Sequence, residues 1–318
     1  MSNLTAITEF LLLGFSADPA MQAALGALLL LAYLAATCGN GLIVGLVAWD
    51  ARLRAPMYFF LQHLSLVDFC FISTTVPAFA LSVLAGRSAI SFLGCVFQVF
   101  GIVAFASAEM GILTAMAYDR YVAICRPLHY EALLSRGTCG RMVGALYLGA
   151  GVSGTMHTAA TFCWTRFVSR EIHHFFCDIP QVILISETKT NLGEASVTVA
   201  TAMVSTACFI YISFSYAHIF SAVLKISSLE GRSKALSTCV PHLVVVTVFL
   251  WTGALVYLKP PSAQASAQDA ALSVFYTVVP PSTNPLIYSL RNRELRASLQ
   301  TALAGSGGHQ AGGLGRGP

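Results

Sequence analysis

Two carboxylates fall deep inside apolar stretches: Asp68 interrupts the run 55–86, and Glu109 follows the run 88–108. Ionisable groups at such depth are costly in hydrocarbon and usually face a bundle interior. With Asn40 and Asn284, which lie in other apolar runs, they could bind a cation or share a proton. They could equally form an interior hydrogen-bond network that fixes helix packing. Paired acids also suit general acid/base chemistry, but no nucleophile or metal set stands beside them, so no enzyme is expected. A second charged pair, Asp119 and Arg120, sits within MAYDRYVAIC (116–125). Near a membrane interface a long arginine can reach water and a neighbouring acid can help neutralise it. Adjacent helical residues face one another poorly, so mutual neutralisation is expected to be incomplete, with each group held by the bundle. His174, Cys177 and Asp178 form a third set, in which His and Cys could take copper or zinc. A disulfide at Cys177 would remove that thiolate.

The elements that must position these groups are membrane spans. Of 318 residues, 56% are hydrophobic and only 10% charged, against roughly a quarter charged in a soluble domain. Uncharged, mostly apolar runs occur at 19–49, 55–86 (broken only by Asp68), 88–108, 142–165, 195–224, 235–258 and 270–290. A transmembrane helix needs about 20 such residues, so seven spans are expected, the third continuing past Glu109 to residue 118. They should be helical, because lipid cannot satisfy an open strand's backbone.

The expected helices cover about 23–49, 57–84, 92–124, 140–162, 195–225, 234–258 and 270–290. Pro241 in the sixth and Pro280, Pro281 and Pro285 in the seventh should kink them. The predicted architecture is therefore an all-α seven-transmembrane bundle over residues 23–290, preceded by an extracellular N-terminus, 1–22. Beyond it, Leu295, Leu299 and Ala302 recur at helical spacing, which predicts a short amphipathic helix on the membrane surface over 291–303. The glycine-rich 304–318 is expected to be a disordered cytoplasmic tail.

Thirteen of the 18 Lys and Arg residues fall in the odd-numbered connections and the tail, and five on the other side. The positive-inside rule then places the N-terminus outside and the C-terminus in the cytoplasm. The formal charge of +4 is thus a topology signal and not a nucleic-acid footprint. No basic residue precedes Arg52, and the first run is too long for a signal peptide, so it should act as an uncleaved anchor. Asn3-Leu4-Thr5 is a glycosylation acceptor sequence that fits an outside terminus. The nine cysteines include no CxxC pair, so zinc is not expected. Cys95 and Cys177 lie where oxidising conditions permit a disulfide, and Cys163 competes with them.

Several stretches together resemble one family: GN (39–40), PMYFFLQHLSLVD (56–68), MAYDRYVAIC with RPLHY (126–130), SY (215–216), KALSTCVPHL (234–243) and NPLIYSLRN (284–292). Their order and spacing are similar to those of the odorant (olfactory) receptors, a branch of the rhodopsin-like G-protein-coupled receptors. The resemblance runs from about residue 3 to about 300. It implies a plasma-membrane receptor whose partners are the lipid bilayer, a small volatile ligand and a heterotrimeric G protein of the stimulatory, olfactory class, with cAMP as the output.

Residue by residue, the resemblance implies that Asp119, Arg120 and Tyr121 hold the resting state and engage the G protein. It makes Asn284, Pro285 and Tyr288 a switch in the seventh span, approached by Tyr216. Asp68 and Glu109, with Asn40 in the same polar network, would hold a sodium ion, the one cofactor implied. Cys95 and Cys177 would form a disulfide. The ligand would meet Ile102, Val103, Ala106, Ser107, Gly253, Tyr257, Val274 and Thr277, a mostly apolar lining that offers an amine no carboxylate.

Four departures from the family pattern stand out. Phe167 and Glu187 replace a second pair of cysteines, Leu250-Trp251 replaces Tyr-Gly and is expected to put an indole near the ligand, Tyr147 replaces a tryptophan, and Arg54 a histidine. An ion-coupled transporter is the alternative reading of the buried acids. The odd number of spans and the lack of an inverted repeat count against it.

Overall fold

The computed structural model of the protein describes residues 7–13, 18–84, 89–163, 165–187, 191–258 and 267–308. In chain order the elements are β1 (Glu9–Leu12), α1 (Pro19–Trp49), α2 (Pro56–Leu84), β2 (Ala89–Ser91), α3 (Phe92–Cys125), a 3-10 turn (Pro127–His129) and α4 (Tyr130–Leu133). There follow α5 (Arg136–Phe162), β3 (Glu171–Ile172), α6 (Ile179–Leu184), α7 (Leu192–Leu224), α8 (Leu229–Leu258), α9 (Ala267–Thr277), α10 (Val279–Arg291) and α11 (Arg293–Gly308). The seven-helix bundle is formed by α1, α2, α3, α5, α7, α8 and the pair α9–α10.

Side-chain caps explain several helix starts. Asp18 accepts from the Ala20 N–H at 3.0 Å with Pro19 in the first turn, Ser91 from Gly94 at 3.1 Å, Ser135 from Thr138 at 3.3 Å and Asn191 from Glu194 at 3.1 Å. Each cap satisfies a backbone donor that the first helical turn leaves open. The cap at Asp18 starts the first helix four residues before the expected position.

Five of the helices are by themselves long and apolar enough to cross a membrane: α1, α2, α3, α7 and α8. The other two crossings carry reasons for a weaker signal. Helix α5 opens with Arg136 and Arg141 and is rich in glycine. The seventh span, expected as one helix over 270–290, is broken at Val278 into α9 and α10. Pro280 and Pro281 cannot donate backbone hydrogen bonds, so they sit in the first turn of a new helix, where none is required.

Helix α3 is the axis of the bundle, packing on α2, α5, α7 and α8, with buried residues from Cys95 to Val122. Lipid supplies no hydrophobic drive between helices, so close approach of small residues matters. At Gly154 on α5 an added Cβ would lie 3.0 Å from the Phe100 carbonyl oxygen and the Ala104 Cβ, both on α3. That spacing lets the two backbones nearly touch.

At the end of α3 that carries Cys95, a three-stranded sheet of order β2-β1-β3 covers the bundle, β1 running antiparallel to β2 and parallel to β3. Phe10 of β1 is fully buried against Phe92 and Phe167. At the other end, α11 lays Leu295, Ser298 and Leu299 inward. Ala302, expected on that face, is exposed, and the helix continues to Gly308 past the expected end at 303. Extension of a formed helix is cheap compared with its nucleation.

Candidate functional site

The described site residues run along α3 from the disulfide to Arg120. Cys95 and Cys177 are bonded, with a Cα–Cα separation of 5.4 Å. The Cys177 N–H also donates to Gln98 Oε1 at 2.8 Å, and Gln98 Nε2 donates to the Thr74 carbonyl at 3.0 Å. The loop before α6 is thereby fixed to α3 and α2. Cys163 remains free and exposed. Since Cys177 is a disulfide, its thiolate is not available for copper or zinc, and His174 instead meets the Ser273 hydroxyl on α9 at 3.2 Å.

Below this lid, Ile102 packs in one cluster with Phe71, Phe175, Phe176 and Tyr276, and Ala106 and Val274 rest against it. Val103, expected beside them, points to a different cluster with the disulfide and Val182. Two expected polar contacts are spent internally: the Ser107 hydroxyl donates to Ser153 at 3.3 Å, and Thr277 to the Ser273 carbonyl at 2.8 Å. A side chain at Gly253 would meet nothing within 4 Å. Tyr257 is described only as backbone of α8, and Asn3 lies outside the described residues. Trp251 is 67% exposed on the bundle's outer face, so its indole does not enter the cluster around Ile102 as expected. Phe167, which departs from the family pattern's cysteine, packs on Phe10, Phe92 and Phe162 and forms a backbone bridge to Ser186.

Midway along the bundle, Asn284 Nδ2 donates to Asp68 Oδ2 at 2.9 Å and lies 3.4 Å from Glu109 Oε1. Both carboxylates are fully buried, and Asp68 Oδ1 and Glu109 Oε2 have no hydrogen-bond partner among the described residues. Bare carboxylate oxygens on two acids that share one asparagine suit a hard cation. Asn40 does not join the acids directly. Its Nδ2 donates to the Pro281 carbonyl at 2.8 Å and to Ala36 at 3.0 Å. Pro285 has no N–H for the Pro281 carbonyl, so Asn40 supplies the donor that the helix lacks. Gly39 makes room: its added Cβ would stand 3.2 Å from Pro285 Cβ.

At the far end, Asp119 is fully buried and accepts from Arg120 Nε at 2.8 Å and also from Arg120 Nη2. The Tyr130 hydroxyl donates to its second oxygen at 2.7 Å. The adjacent charges therefore do pair, contrary to expectation, because the long arginine side chain folds back along its own helix. Arg120 lies within electrostatic reach of Tyr216, Cys239 and Tyr288. The Tyr288 hydroxyl is buried with no hydrogen-bond partner among the described residues. Tyr121 sits edge-on to His218, its ring 5.9 Å from the Arg126 guanidinium.

Three participants had no assigned role in the sequence reading. Tyr130 holds Asp119, and its own hydroxyl is pushed above the usual tyrosine range by burial and by the Asp119 charge. His242 joins Tyr216 at 2.7 Å and the Leu113 carbonyl at 2.9 Å, linking α8 to α7 and α3. His157 on α5 meets Glu194 on α7 at 2.6 Å, and its Nε2 lies 2.9 Å from the Thr201 hydroxyl. The signals were a histidine directly after Pro241 and a glutamate one position before the fifth apolar run.

A family model described as "Olfactory receptor" matches residues 29–305. Human olfactory receptor 14A16 is 46% identical over 305 residues, 96% of this chain and 98% of the relative. Human olfactory receptor 14L1 is 47% identical, over 94% and 92% of the two chains. The crystal structure of squid rhodopsin superposes with a TM-score of 0.71 at 17% identity, covering 90% of this chain and 81% of that one. Matches of this length and identity, on a seven-helix bundle that carries Asp119, Arg120, Tyr216 and Tyr288 toward one end, mean that the chain belongs to the olfactory receptor family of G-protein-coupled receptors.

Proposed function

We propose that the protein lies in the plasma membrane with its N-terminus outside and the Asp119 end in the cytoplasm. A small, weakly polar ligand bound in the outer half of the bundle activates a stimulatory heterotrimeric G protein and raises cAMP. The basic residues clustered around the Asp119 end support the orientation. The single observation that carries the switching role is Arg120, held by Asp119 under Tyr130. One cation is thus stored within electrostatic reach of Tyr216 and of Tyr288, whose hydroxyl has no hydrogen-bond partner among the described residues.

Ile102, Ala106 and Val274 form the apolar wall proposed to meet the ligand, beneath Phe175 and Phe176 of the tethered loop. Val103, Ser107, Gly253, Tyr257 and Thr277 would border it. Pressure on this wall shifts α8 and α9–α10 against α3, and Arg120 exchanges Asp119 for the partner G protein. Asp68, Glu109 and Asn284 would hold a sodium ion, whose single charge would offset one of the two buried acids.

The test is a cAMP reporter in cells expressing the chain, run against an odorant panel. A response lost in Arg120→Ala, with surface expression intact, supports the receptor. Ligand accumulation without cAMP overturns it in favour of ion-coupled transport.

A further inference from the structure

The ends of α1, α2 and α5 enclose a cavity of about 450 Å³ on the Asp119 end of the bundle, lined among others by Trp49, Asp50, Arg54, Phe59, Gln62 and Arg136. Its position is that of a membrane interface. Helix α1 ends at Trp49, α2 starts at Pro56 and α5 starts at Arg136, so three spans leave the hydrocarbon together. Trp49 is 90% exposed there, and an indole at the end of a span is the usual interfacial anchor.

The charges in this cavity are unequal. Asp50 is already engaged: Arg52 donates to it from Nε at 3.0 Å and from Nη2 at 2.7 Å. Those bonds hold the Asp50 carboxyl well below the usual carboxylate range, so it stays ionised and paired. Arg54 and Arg136 are exposed and have no hydrogen bond or ion pair among the described residues. Two guanidinium groups without a partner among the described residues thus border one cavity, which Phe59 and Gln62 also line. Guanidinium forks match phosphate oxygens in geometry as well as charge, and basic pockets between spans suit phosphorylated lipid headgroups.

We propose that this cavity binds the headgroup of an anionic phospholipid, a phosphorylated inositol lipid, with Arg54 and Arg136 taking its phosphate oxygens. The supply of that lipid from the inner leaflet rests on the orientation proposed above. The binding chemistry does not, and the test uses bilayers with the same composition on both sides.

The full chain is reconstituted in phosphatidylcholine nanodiscs doped with phosphatidylinositol 4-phosphate, and bound lipid is counted by native mass spectrometry. The double variant Arg54→Gln/Arg136→Gln should retain about tenfold less of this lipid than the wild type, the loss of one or two charge-assisted bonds. Arg141→Gln, a basic residue on α5 that does not line the cavity, should retain it fully. Should the double variant not fold, each single variant carries the same reading with a smaller loss. Equal retention by the wild type and the Arg54 and Arg136 variants overturns the site. Equal retention of phosphatidylserine overturns the phosphoinositide assignment, and equally tight binding of free inositol phosphate overturns the lipid.

Discussion

Tyr216 on α7 and His242 on α8 are joined by a 2.7 Å hydrogen bond, their rings stacked at an interplanar angle of 22°. The other imidazole nitrogen faces the Leu113 carbonyl, which can only accept, so Nε2 carries the proton and Nδ1 accepts from the tyrosine. One neutral histidine therefore bridges three helices. Tyr216→Phe leaves Nδ1 buried without a donor, at a cost of about 1–3 kcal/mol. Thermal unfolding of the purified receptor should show a lower midpoint for Tyr216→Phe and for His242→Leu. The double variant should fall by less than the sum, since both remove the same bond. Strict additivity would mean that the bond contributes nothing.

If Arg120 switches as proposed, its bonds to Asp119 set how readily it is released. In Asp119→Asn the Tyr130 hydroxyl still finds an amide oxygen to donate to, but the arginine loses its counter-charge. Ligand-independent cAMP, normalised to surface expression, should rise in Asp119→Asn and change less in Tyr130→Phe. A basal signal in Asp119→Asn at or below the wild-type level would show that the pair does not restrain the receptor.

Asn40 repairs the backbone at Pro281. Asn40→Ala leaves that carbonyl without its donor and should destabilise the receptor by about 1–3 kcal/mol, seen as a lower unfolding midpoint. In a Pro285→Ala background the helix regains the N–H that serves Pro281, so the same substitution should cost markedly less. If Asn40→Ala costs the same in both backgrounds, the amide has another role.

These contacts mark how far the sequence could be read. The spans were legible because apolar runs of membrane length leave few alternatives, and Asp68 and Glu109 stood out against them. The break at Val278 was not, since prolines indicate a disturbance without saying whether the helix bends or restarts. Arg120 was misjudged because helical spacing describes Cβ positions, whereas a long side chain can fold back on its neighbour. His242 and His157 escaped notice because the apolar runs were bounded by Asp, Glu, Lys and Arg, and a histidine does not interrupt such a run. Trp251 was expected beside the ligand, and only the rotation of α8 shows that it faces outward.

Asp178 should give the loop before α6 a pH dependence. Burial raises its carboxyl to about 6 from the ordinary 3.8, partly opposed by a hydrogen bond from the Ile179 N–H. The folded state therefore binds the proton more tightly than the unfolded chain, and stability falls as pH rises between those values. The fall should reach at most about 3 kcal/mol and level off above pH 6 to 7. Unfolding midpoints recorded from pH 4 to 7 should decline in the wild type relative to Asp178→Asn. Parallel profiles would remove Asp178 as the cause.

His157 and Glu194 hold α5 to α7 through a buried pair whose remaining valences are also met. Thr198 donates to Glu194 Oε1 at 3.0 Å, Thr161 to Oε2 at 3.4 Å, and the Glu194 N–H is capped by Asn191 at 3.1 Å. Such a pair stabilises little relative to apolar residues of the same size, because both groups were taken out of water. Removing one member is different, since the other is then left buried alone. Glu194→Leu or His157→Leu singly should destabilise by about 3–5 kcal/mol and reduce surface expression sharply. The double variant His157→Leu/Glu194→Leu should recover most of that loss, because two leucines need no partners. A double variant as unstable as either single one would mean that Thr161, Thr198 and Thr201 depend on the charges and that the whole cluster, not the pair, joins the helices.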